Sequence, residues 1–299
     1  MKHFADLTLA TTVHNNSALS AAMLCSFGES VGSVAEIIVV DDASQPPYTP
    51  PQMSCPLRVI RTGQALGFCH ASDQALREVR TKYALLVDAD VLFAAGDFAG
   101  GYDEFQKAPW AWVNFRQISF QNVPQESFEE PLMPPWIFAA GNQVYSWWKR
   151  RQVTPAPPKP GQRIAPVEAA HSSCTLVKME PFRAVGGFDL WYWQCQSDID
   201  LSLRLRKSGH GVGVDLGYEV KHDGAGGRSG DTARVLDLYR ARVHLYEGAY
   251  PASRLYLRPL LFVRHLAEVL WFGLLGLFQK DARLQARIEM LKGALHGYH

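Results

Sequence analysis

The sequence has 299 residues, 30 Lys and Arg against 29 Asp and Glu, a formal net charge of +1 and 47% hydrophobic residues. That composition excludes disorder, collagen-like repeats and a coiled coil, and near-neutrality leaves no general surface for a polyanion such as nucleic acid. The charge is unevenly spread: residues 254–299 carry seven Lys or Arg against three Asp or Glu, so a +4 tail follows a −3 body.

In chain order the first element is Leu7–Val13, β-rich and alternating, and too polar and short for a signal-peptide core. A helical stretch Ala18–Phe27 follows, then the β-branched run Ile37–Val40, which ends in Asp41-Asp42. Five prolines between 44 and 56 predict a surface loop. Leu57–Ile60 reads as a strand, Ala71–Thr81 as a helix and Tyr83–Val87 as an apolar strand ending in Asp88-Ala89-Asp90. Strands alternating with helices, and apolar on both faces, predict a mostly parallel sheet covered on both sides. Polar residues gather where these strands end, which is where open α/β sheets bind ligands.

Residues 121–166 carry nine of the 18 prolines, with Trp136, Trp147 and Trp148, and read as a functional insertion rather than plain disorder. Beyond it, Cys174–Val177 and Gly211–Val220 read as strands, with an amphipathic helix Asp198–Ser208 between them. From about 232 onward the pattern is helical, which divides the chain into a domain of residues 1–231 and a helical extension of residues 232–299. The five cysteines (25, 55, 69, 174, 195) lack metal or redox spacing and indicate a reduced, cytosolic chain. The apolar run Val269–Phe278 is ten residues long, short of the roughly 18–20 that span a bilayer.

Four constellations carry chemistry. Asp88 and Asp90, just past a buried strand, suit a hard divalent cation facing a diphosphate, or a solvated turn. Asp41 and Asp42 form a second acidic pair on the same predicted edge, or a turn with Ala43-Ser44. Asp198 and Asp200 open a helix and complement its dipole; Asp198, near Trp191 and Trp193, also suits a general base. His222, at a strand end before a glycine-rich loop, suits metal or phosphate contact as well as a structural role.

Taken in order, Val39-Val-Asp-Asp-Ala-Ser44, Leu66-Gly-Phe-Cys-His-Ala-Ser-Asp-Gln-Ala-Leu76, Asp88-Ala-Asp90, Cys174-Thr-Leu-Val-Lys178 with Gly186-Gly-Phe-Asp189, Ser197-Asp-Ile-Asp-Leu-Ser-Leu-Arg-Leu205 and Val220-Lys-His222 resemble the family 2 inverting glycosyltransferases. The eight residues between Gly-Gly-Phe-Asp and Asp-Ile-Asp resemble the spacing of the rhamnosyltransferase-like bacterial members. The resemblance covers about residues 7–229 and implies a Rossmann-like GT-A fold. It implies that Thr11, Val13, Asp41 and Asp42 contact the nucleoside of a sugar nucleotide, that Gly67 lets the backbone approach it, and that Asp88 touches ribose or sugar. Asp90 and His222 would bind Mn²⁺ or Mg²⁺, and Asp198 would deprotonate the acceptor, a saccharide or lipid-linked saccharide in cell-surface polysaccharide synthesis. Trp191 and Trp193 would stack on acceptor sugar rings. Two positions depart from the pattern: Ser197 stands where members have Glu, and Asp73 where they usually have Asn.

Alternative readings are a nucleotidyltransferase, which lacks its glycine-rich basic signature here, and a saccharide-binding scaffold with a decayed site. The leucine-rich, basic-flanked tail at 255–278 reads either as a helix lying peripherally at the inner face of a membrane or as a surface packed on the domain or on a second subunit of a homo-oligomer.

Overall fold

The computed structural model describes residues 2–129, 132–141, 144, 147, 158, 160–222, 232–276 and 282–296. The glycine-rich stretch after His222, Trp148 and the end of the apolar run at 277–278 lie outside the described residues. The chain forms two compact units. The first comprises Met1–Pro131, Val153–Trp193 and Ser197–Gly227, and the second Leu132–Gln152, Gln194–Gln196 and Arg228–His299.

The first unit opens as expected, with β1 (Lys2–Val13), α1 (Ser17–Ser30), β2 (Gly32–Asp41), β3 (Leu57–Arg61), α2 (Phe68–Arg77) and β4 (Tyr83–Val87). Strands β3, β2, β1 and β4 lie side by side in parallel. Ile37, Ile38, Val39 and Val40 of β2 are fully buried, because helices close both faces of a parallel sheet and leave no solvent side on which to place a polar residue. Helix α2 starts three residues earlier than its hydrophobic spacing predicts. Gly67, at φ +83°, breaks the chain direction immediately before it.

Three elements that periodicity does not announce follow: β5 (Val91–Phe93), α3 (Phe98–Lys107) and β6 (Trp110–Ile118). Helix α3 carries Gly100 and Gly101, both poor helix formers, yet a Cβ on Gly101 would run into Asp215, so glycine there permits close packing. Strand β6 places Asn114 and Gln117 at buried positions, which hides its apolar character. The described part of the insertion holds β7 (Pro124–Gln125), β8 (Phe128–Glu129), α4 (Pro135–Ala140) and β9 (Ile164–Pro166).

The rest of the first unit is β10 (Ala169–Ala170), β11 (Cys174–Lys178), α5 (Met179–Ala184), α6 (Ser197–Lys207) and β12 (Gly211–His222). Among the described residues the main sheet has ten strands, in the order β3-β2-β1-β4-β11-β6-β12-β5, with β7 and β9 on its flanks. Strand β11 runs antiparallel to β4 and β6, and β5 antiparallel to β12, while β12 and β6 are parallel. The sheet is therefore mixed and mostly parallel, as expected. Its core joins Leu7, Leu9 and Val13 to Met23, Phe27, Phe98 and Phe105 on the helices.

The second unit contains α4, α7 (Thr232–Ala249), a 3₁₀ turn (Pro251–Leu255), α8 (Leu257–Gly276) and α9 (Ala282–His296). Met133, Ile137 and Phe138 bury against Tyr239, Tyr246, Leu257, Leu261 and Met290. Part of the proline-rich insertion thus shares a core with the C-terminal helices.

Candidate active site

The carboxyl ends of β4, β6 and β12 bring the acidic motif and the histidine together. After Val87 the chain turns sharply, with Val91 N–H donating to the Asp88 carbonyl at 3.2 Å. Strand β5 then pairs with β12 so that Val91 lies opposite His222. This pairing places His222 Nε2 3.4 Å from Asp90 Oδ1 and 3.8 Å from Asp88 Oδ2. Asp88, Asp90 and His222 each offer one ligand atom, all within 4.8 Å of one another. Burial pushes the Asp88 carboxyl up to about 7; His222 opposes the rise, and the neighbouring Asp90 and Asp198 add to it.

Gln117 sets the ring of His222. Its Oε1 accepts from His222 Nδ1 at 2.9 Å, and its amide nitrogen donates to Ser173 Oγ. With the proton on Nδ1, the Nε2 lone pair faces the two carboxylates, the arrangement that second-sphere hydrogen bonds impose on metal-ligating histidines. Two carboxylates and an oriented imidazole nitrogen are a donor set for Mn²⁺ or Mg²⁺ rather than for a soft metal. The residues present fit such an ion.

Asp198 is the second residue of α6. Its Oδ2 accepts from Ser172 N at 3.2 Å and Ser172 Oγ at 3.5 Å, and its Oδ1 from Ile199 N at 2.9 Å. Ser173, the next residue, gives its carbonyl to Asp88 N at 2.8 Å. Two consecutive serines therefore connect the acidic triad to Asp198. Gln117, Ser172 and Ser173 escaped the sequence reading, because none lies in a motif. The available signal was Gln117 itself, an amide in a strand otherwise suited to burial. Asp200 pairs with Arg204 at 2.7 Å, and Arg204 in turn holds the carbonyls of Val185 and Gly187; its place is structural.

The residues expected to contact a nucleoside gather at the ends of β1 and β2. Thr11 and Val13 are fully buried, Val13 within the core. Asp41 is buried and accepts from Ser44 N, Tyr48 N and Arg61. These contacts hold its carboxyl below the usual range although burial, the largest influence, acts to raise it. It braces the proline-rich loop. Asp42 accepts from Thr62 Oγ1 at 3.1 Å, Leu66 N at 2.7 Å and Gly67 N at 3.0 Å, and so shapes the turn into α2.

A Cβ at Gly67 would meet the indole of Trp193. The Trp193 carbonyl also accepts from Cys69 N at 3.1 Å, and Cys69 Sγ donates to the Asp189 carbonyl at 3.4 Å. The loop carrying Trp191 and Trp193 is thus latched to the start of α2, with both indoles exposed. Cys69 itself is buried, which pushes its thiol up to about 12 and removes it as a nucleophile. Asp73 accepts from Phe188 N at 3.0 Å and pairs with Arg77, so it supports the turn at Gly186-Gly187.

Residues 8–162, just over half of the chain, match the profile of Glycosyl transferase family 2. No curated protein sequence matches the chain. Among solved structures the fold is similar to that of GalNAc-T7 with UDP, GalNAc and Mn²⁺, at a TM-score of 0.57 and 14% identity over 82% of this chain and 48% of that one. The chain thus spans about half the length of that protein. It is also similar to the mannosyltransferase PcManGT from Pyrobaculum calidifontis in complex with GDP-Man and Mn²⁺, at 0.50 and 15% over 98% of this chain and 87% of that one. At such identities the likeness is one of fold.

Proposed function

The chain belongs to glycosyl transferase family 2 and is a glycosyltransferase of the GT-A fold, and we propose that it moves one sugar, with inversion, from a nucleoside diphosphate sugar to a saccharide acceptor. The observation that carries this reading is the serine pair that binds Asp198 on one side and the Asp88–Asp90–His222 triad on the other. A cation-holding group beside a fixed carboxylate is what a single displacement at an anomeric carbon needs. The structural neighbours solved with UDP or GDP-Man and Mn²⁺ support the donor class and the ion.

Asp88, Asp90 and His222 would hold Mn²⁺ or Mg²⁺, which when bound supplies positive charge against the departing diphosphate. Asp198, oriented by Ser172, takes the proton of the acceptor hydroxyl. The acceptor oxygen forms its bond to the anomeric carbon as the bond from that carbon to the diphosphate oxygen breaks, and the electron pair leaves with the nucleoside diphosphate. Nucleoside contacts fall to the ends of β1 and β2, around Thr11, Val13, Asp41 and Asp42. Trp191 and Trp193, exposed on the loop before α6, offer flat apolar faces to acceptor sugar rings. The motif spacing supports a rhamnosyltransferase-like role in cell-surface polysaccharide assembly.

Helix α8 supports work at the inner face of a membrane. Every exposed residue described on it is apolar: Pro259, Leu260, Val263, Leu266, Ala267, Leu270, Trp271 and Leu274. Its charges turn the other way, Arg258 to Glu247 and Arg264 and His265 to Glu268. No described helix is long and apolar enough to cross a membrane, and such a face suits one that lies on an anionic bilayer. Leu270→Asp with Trp271→Asp should abolish flotation with anionic liposomes, and unchanged flotation removes α8 from the reading.

The catalytic assignment is tested by screening sugar nucleotides for Mn²⁺-dependent turnover and then repeating the assay with Asp198→Asn. That variant should lose transfer while keeping donor binding; turnover surviving within about tenfold of wild type overturns the base assignment. Failure of any donor to bind would favour a saccharide-binding scaffold.

A further inference from the structure

A cavity of about 570 Å³ opens at the end of the sheet opposite the acidic triad. Its wall includes Tyr83, the first residue of β4, Trp110, the first of β6, and Lys178, the last of the antiparallel β11. Asp88 follows the last residue of β4, so at about 3.3 Å per residue the cavity lies roughly 17 Å from the triad. Its size falls within the range of about 300–1,000 Å³ for small-molecule sites.

The charge of this cavity runs against that of its surroundings. Arg80, Lys82, Lys178 and Arg183 line it with His210, against a single carboxylate, Glu180, within a body that is net −3 over residues 1–253. Elsewhere in the first unit Arg58, Arg61, Arg77, Arg163 and Arg204 each face a carboxylate. None of the four cavity cations does so among the described residues. Two of them are instead fixed by carbonyls: Lys178 Nζ donates to Gln106 O at 3.3 Å and Ala108 O at 2.6 Å, and Arg183 donates to Val79 O. Burial lowers the Lys178 ammonium, the direction expected of a cation desolvated without a counter-ion. Trp110 is clamped, since a Cβ on Gly211 or Gly213 would meet its ring. Lys178 and Arg183, held without carboxylates beside the Trp110 ring, with Arg80 and Lys82 at the rim, suit an anionic group.

We propose that this cavity is a second binding site, separate from the donor site, for a soluble phosphate-bearing small molecule. The phosphate lies among Lys178, Arg183, Arg80 and Lys82, and the rest of the molecule lies along Tyr83 and Trp110. The site also has a route to the chemistry: β4 leads from Tyr83 to Asp88, and β6 from Trp110 to Gln117, which holds His222.

The test is calorimetric titration of the full chain with sodium pyrophosphate in excess EDTA, where the acidic triad has no ion with which to attract an anion. Saturable binding is expected, weakened at least about tenfold by Arg80→Gln/Lys82→Gln and by 0.5 M salt, and unchanged by Asp90→Asn. Both residues of the double variant are exposed, so the fold is spared; Lys178→Gln, checked by circular dichroism, provides a second probe. Absence of saturable binding overturns the proposal, as does binding that survives Arg80→Gln/Lys82→Gln and is lost in Asp90→Asn.

Discussion

Replacing Gly67 by alanine should cost stability in two separable ways. Gly67 sits at φ +83° and ψ 165°, a region open essentially to glycine, where another residue costs on the order of 1–3 kcal/mol. The added Cβ would also lie 2.7 Å from the Trp193 ring, inside the roughly 3.5–4.0 Å at which carbon atoms pack. The indole must then move by about 1 Å, an overpacking cost of about 1–3 kcal/mol. The combined loss, about 2–6 kcal/mol, is readable by urea unfolding followed by far-ultraviolet circular dichroism. Trp193→Ala removes the second cost and leaves the first. In a cycle with Gly67→Ala and the double variant, the coupling should therefore be about 1–3 kcal/mol, with alanine at 67 better tolerated once the indole is gone. A Gly67→Ala protein within about 0.5 kcal/mol of wild type, or a strictly additive cycle, would refute the latch between α2 and the tryptophan loop.

Gln117→Leu removes the acceptor of His222 Nδ1–H and should weaken Mn²⁺ binding about 10- to 100-fold, measured by titration of the ion, with little change in far-ultraviolet circular dichroism; unchanged affinity would mean that the ring is held by other means. In the second unit, burial alone would raise Glu268, but the hydrogen bond from His265 and the guanidiniums of Arg264 and Arg287 hold it at about 2. Because this lies below its ordinary value of 4.5, the stabilisation is present above pH 4.5 and disappears as the pH falls toward 2. Glu268→Gln should accordingly remove on the order of 3 kcal/mol at pH 7 and progressively less on acidification, so urea curves of variant and wild type converge near pH 2.

The parallel half of the sheet was legible because β2 and β4 are apolar runs ending in acidic turns, flanked by the β-rich β1 and the short β3. Strand β6 was not, since its buried Asn114 and Gln117 are satisfied by partners distant in sequence: Ser127 for Asn114, and Ser173 with His222 for Gln117. Helix α3 was hidden by Gly100 and Gly101, where a Cβ would meet Asp97 and Arg163 at the first and Asp215 of β12 at the second. In the site, Asp88, Asp90 and His222 could be named from motifs, and the structure brings them together. What the motifs did not show is that Asp41 and Asp42 also hold turns and that Gly67 packs on Trp193, because a carboxylate that braces a loop and one that faces solvent look alike in sequence. Only the hydrogen bonds separate them.

The serine pair at 172 and 173 acts as a gauge block. One peptide unit, about 3.8 Å between its Cα atoms, joins the residue that holds Asp198 to the residue whose carbonyl holds Asp88. The two serines lie between β10 and β11, so the spacing of the two acidic groups runs through a segment of chain separate from the tryptophan loop. An insertion of a single residue between Ser172 and Ser173 would therefore change that spacing directly.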